Sequence, residues 1–94
     1  METTELMKQL RDSAFKVILT HPGCSYEEWR ASMLELYRQE LVGAFGDSDE
    51  SIDAGLDELW STPYQPKGRN DSLSLFTWSL VLKDNEAVRE YFAD

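Results

Sequence analysis

Residues 25–46 read SYEEWRASMLELYRQELVGAFG, and the ends and periodicity of this stretch decide the fold. Ser25 followed three positions later by Glu28 is a capping box, in which each side chain accepts from the other residue's backbone amide and two orphan donors of a helix start are satisfied. Trp29, Met33, Leu36, Tyr37, Leu41 and Ala44 then recur at spacings of three and four, so they share one helical face, and Leu34 and Phe45 widen it. Gly46 stands where a helix closes in a backbone conformation that a Cβ disfavours. The stretch predicts one amphipathic helix of about five turns at the centre of the core.

Towards the N-terminus, Leu6, Leu10, Ala14, Val17 and Ile18, with Met7 and Phe15 beside them, predict a helix from Thr3 to about Thr20. Pro22 stops it, because proline removes a donor and disfavours helical geometry at His21. A connection as short as His21-Pro22-Gly23-Cys24 predicts an antiparallel hairpin with the central helix.

Towards the C-terminus, Asp47 and Glu50 offer a second capping box, and Ile52, Leu56, Leu59 and Trp60 form the face of a helix from about Asp49 to Ser61. Gly55 inside it weakens that helix by about 1 kcal/mol relative to Ala. Residues 62–70, with Pro63, Pro66 and Gly68, read as loop. SLSLFTWSLVLK (72–83) alternates in part like a strand, yet its apolar residues surround a helical projection. A buried helix capped by Asp71 or Ser72 is preferred, because nothing else in the chain looks like a partner strand. Asp84-Asn85 either breaks it before a last helix carrying Val88, Tyr91 and Phe92, or one helix runs through. The prediction is an all-α single domain over residues 1–94, four or five helices in an antiparallel bundle or in orthogonally packed hairpins.

Eighteen acidic against nine basic residues give a net charge of −9, a field that repels nucleic acid and anionic membrane surfaces. No window approaches the length of a membrane span, and METTELMKQLRDS has no secretory pattern. The one cysteine excludes an internal disulfide and fits a reducing compartment, so a cytoplasmic location is expected.

Six of the acids, Asp47, Asp49, Glu50, Asp53, Asp57 and Glu58, lie in twelve residues with no basic residue between them. Their bland reading is a solvated helix face. Their functional reading is a docking surface for a basic partner protein, with Asp49, Glu50, Asp53, Asp57 and Glu58 as contacts and Lys67 and Arg69 of the following loop added. Asp47, Asp49, Ser51, Asp53 and Glu58 also have the spacing of calcium-loop ligands, although Ile52 stands where that loop needs glycine. His21 and Cys24 lack the partners of a nucleophilic or zinc site. Pro63-Tyr64-Gln65-Pro66 has the spacing of a polyproline ligand, which helix termination explains more simply. Neither a phosphate loop nor a nucleophile elbow is present. The sequence therefore predicts a small regulatory or adaptor module rather than an enzyme, without a cofactor. A calcium-responsive module and a homodimer joined through Leu73 to Leu82 are the alternatives.

Overall fold

A computed structural model describes residues 2–93 of the chain. Six helices follow one another: α1 (Glu2–Thr20), α2 (Tyr26–Leu36), α3 (Arg38–Phe45), α4 (Asp49–Ser61), α5 (Leu75–Asp84) and α6 (Glu86–Ala93). The fold is all-α. Two two-residue strands, β1 (Pro63–Tyr64) and β2 (Leu73–Ser74), pair antiparallel with Tyr64 opposite Leu73, so the strand partner held to be missing exists in minimal form.

The capping box forms as expected: the Ser25 hydroxyl accepts from the Glu28 amide at 3.1 Å, and the Glu28 carboxylate accepts from the Ser25 amide at 2.9 Å. The single long helix does not. It breaks at Tyr37, whose φ of −129° and ψ of 30° separate α2 from α3. The cause lies in the spacing itself, since each step of four residues drifts about 40° around a helix of 3.6 residues per turn. Trp29 and Leu41 would then sit about 120° apart on one straight helix, and the break turns both into the core, where each is fully buried. Leu36, at the break, is left 63% exposed. Gly46 closes α3 with a φ of 95°, as its position predicts.

α1, not the stretch after it, is the helix on which most of the others converge: it packs against α2, α3, α5 and α6. Trp29 of α2 is fixed to it by an indole N–H that donates to the Ala14 carbonyl at 3.2 Å. On its other side Phe15 meets the rings of Tyr64, Trp78 and Phe92 at centroid distances of 5.2, 5.6 and 5.1 Å. The turn after α1 is tied to α5, because the Gly23 amide donates to the Ser79 hydroxyl at 2.9 Å and gives this buried polar side chain a partner.

Two further caps differ from expectation by a short slip. Ser48 rather than Asp47 starts α4, accepting from the Ser51 amide, and Ser74 rather than Asp71 or Ser72 starts α5, accepting from the Thr77 amide. Asn85 separates α5 from α6, so residues 72–92 form two helices rather than one. Gly55 is buried where α4 meets α3, and a Cβ there would run into the ring of Phe45. This glycine marks a close approach of two helices rather than a weak point in one.

Candidate functional site

α4 buries Ile52, Gly55, Leu56 and Leu59 and turns its acids outward. They fall into two groups. Asp49, Asp53 and Asp57 recur every four residues and form one edge of the helix. That edge faces α2 and the start of α3. Arg30 holds the Asp53 carboxylate in an ion pair, Arg38 reaches Asp49 at 3.9 Å, and Asp57 stands near the Tyr26 phenol. Burial, together with the neighbouring Asp57 carboxylate, pushes the Tyr26 phenol up to about 12. Two of the acids expected to face a partner, Asp49 and Asp53, therefore have partners within the chain, and Asp57 has neither an ion pair nor a side-chain hydrogen bond among the described residues. Asp47, Glu50 and Glu58 are exposed and take part in no ion pair among the described residues.

The calcium spacing does not become a calcium loop. Asp49 to Ser61 is continuous helix, the Ser51 hydroxyl is turned back onto Ser48, and Glu58 lies on the side of the cylinder away from the edge that Asp49 and Asp53 share. Among the described residues, no group of three or more His, Cys, Asp and Glu side chains gathers to hold a metal ion.

Lys67 and Arg69 are not brought to these acids. Lys67 lies exposed beside Asp12, Lys16 and Phe92 along a shallow cleft. Arg69 donates to Asp71 at 3.1 Å, and its guanidinium sits 5.9 Å from the Trp78 ring centre and 5.8 Å from that of Tyr91, so it serves as a cationic spacer between two rings. The Tyr91 hydroxyl donates to the Gly68 carbonyl at 2.9 Å and fastens the same loop to α6. Pro66 is buried and the loop turns back on itself, Arg69 amide to Pro66 carbonyl, so residues 63–66 do not present a polyproline ligand.

A cleft of about 570 Å³ at the α1–α2 corner is lined by His21, Cys24, Glu28 and Ser32 among others. Its chemistry is weak. Burial, the largest influence, raises the Cys24 thiol above its usual range, which holds it protonated and a poor nucleophile at neutral pH. Glu28 is committed to the Ser25 cap.

The feature that sequence reasoning missed lies on α5. Leu75, Trp78, Ser79 and Leu82 face the core, but Phe76 and Leu80, one turn apart, are 53% and 43% exposed. The expectation of a wholly buried helix is corrected accordingly. The Phe76 ring continues inward to Trp60 at 6.2 Å, and Trp60 to Tyr26 at 5.6 Å, both partly exposed. The available signal was the spacing of Phe76 and Leu80 at i and i+4, opposite Trp78 and Leu82, which a helix packed on one side leaves outside.

No protein family model matches the chain, and neither a curated protein nor a solved structure similar to it was found. No helix among the described residues is long and apolar enough to cross a membrane.

Proposed function

We propose that this chain is a small regulatory or adaptor module that docks on a basic surface of a partner protein through the outward side of α4. One observation carries the reading: Asp47, Glu50 and Glu58 stand exposed on or beside α4 and take part in no ion pair among the described residues. Exposed charge of one sign raises the rate of encounter with an oppositely charged surface and excludes partners of like charge. The internal pairs of Asp49 and Asp53 leave the outer acids to act outward. The free thiol of Cys24 is compatible with work in the cytoplasm.

The test is a pull-down from native-source lysate, comparing the wild type with the triple variant Asp47→Asn, Glu50→Gln, Glu58→Gln, which leaves both arginine pairs intact. Capture of a basic protein by the wild type alone, weakening as salt shortens the screening length below about 8 Å, is the expected result. Equal capture by both forms, or capture indifferent to salt, would reduce the outer acids to a solvated surface.

A further inference from the structure

Two of the four large apolar side chains most exposed in the structure, Phe76 and Leu80, are neighbours on α5, and they continue a line of rings rather than standing alone. The rings run Tyr26, Trp60, Phe76 in centroid steps of 5.6 and 6.2 Å, and Leu80 is the i+4 neighbour of Phe76 on α5. At the Tyr26 end the strip meets acid: Asp57 is exposed one turn before Trp60 in α4 and stands near the Tyr26 phenol.

We infer that this strip receives one basic amphipathic helix of a partner protein, its apolar face on Trp60, Phe76 and Leu80 and a Lys or Arg side chain over Asp57. The inference rests on the docking function proposed above and names the form of the partner. Charge complementarity selects this occupant over a second copy of the chain, which would bring a net charge of −9 against the same acid. An apolar strip with a charged rim is how a groove reads the i, i+4, i+7 anchors of a helix. Trp29 and Trp78 are fully buried, so Trp60 is the indole whose fluorescence reports on the strip.

The experiment uses three synthetic peptides of about 14 residues, four turns, with the same number of lysines. One has leucines on a single helical face, one has the same leucines scattered, and one has glutamine in their place. The facially amphipathic peptide should bind about tenfold more tightly than the other two, the margin expected from seating one or two apolar side chains, and should shift the Trp60 emission. Phe76→Ser with Leu80→Ser, and Leu80→Ser alone as a milder variant whose fold is checked by circular dichroism, should erase that margin. If all three peptides bind alike and lose affinity with the Asp47, Glu50 and Glu58 variant, the acidic docking function stands and the strip is overturned as its helix site. If none binds at millimolar concentration, both readings fall. A chain that sediments as a dimer and becomes monomeric with Phe76→Ser assigns the strip to self-association and overturns the inference.

Discussion

Trp29 joins two sources of stability in one side chain: its ring is withdrawn fully from water, and its indole N–H is spent on the Ala14 carbonyl rather than left bare. Trp29→Ala should lower the unfolding free energy by about 3–5 kcal/mol, read as a lower urea midpoint. For a domain whose whole margin is about 5–15 kcal/mol that is a large share, and an unchanged midpoint would refute the packing described. Tyr26 makes a prediction in pH. Its folded value is raised from 10.0 to about 12, so the native state holds the proton where the unfolded chain releases it. The resulting stabilisation is complete below pH 10 and disappears as pH climbs through the folded value. Absorbance at the phenolate band should show Tyr26 titrating late, and Tyr26→Phe should flatten the loss of stability across that interval. At this scale the sequence was legible where a signal was local. Ser25 and Glu28 made their cap as the spacing required, because nothing else competed. Ser48 and Ser74 were misplaced because several capping side chains stand in succession at both sites, and the packing of the following helix chooses among them.

The elements were legible in kind and less so in extent. α1 and α4 follow directly from their apolar periodicity, since each keeps one face against one core. The break at Tyr37 is invisible to a face count: the i+4 spacing that reads as regular is what carries Leu41 away from Trp29, and only the position of α1 and α4 makes a bend the better solution. Gly55 was legible as a glycine but not as a contact, because Phe45 comes from another helix. Gly55→Ala is the prediction that separates the two views. Helix propensity alone favours Ala by about 1 kcal/mol, whereas displacing the Phe45 ring should cost about 1–3 kcal/mol. A lower melting temperature is expected for Gly55→Ala, with recovery when Phe45→Leu is added; a rise on Gly55→Ala alone would mean that the two helices are not pressed together there.

For the molecule as a whole, composition foretold the class of surface and not its layout. The net charge of −9 was plain, but the division of the acids into those tied to Arg30 and Arg38 and an outer set with no ion pair among the described residues depends on α2 and α3 lying beside α4. The strip of Tyr26, Trp60, Phe76 and Leu80 was hidden for the same reason, since three separate helices supply it. The central position of α1 also has a consequence in time. Phe15 is covered by rings from Tyr64, Trp78 and Phe92, which follow it by dozens of positions. A polypeptide made at about 5–20 residues per second therefore carries an uncovered apolar helix for some seconds after that helix emerges. Nascent chains arrested at Ser61 should bind the dye anilinonaphthalene sulfonate and recruit a chaperone, and lose both once translation has passed Phe92.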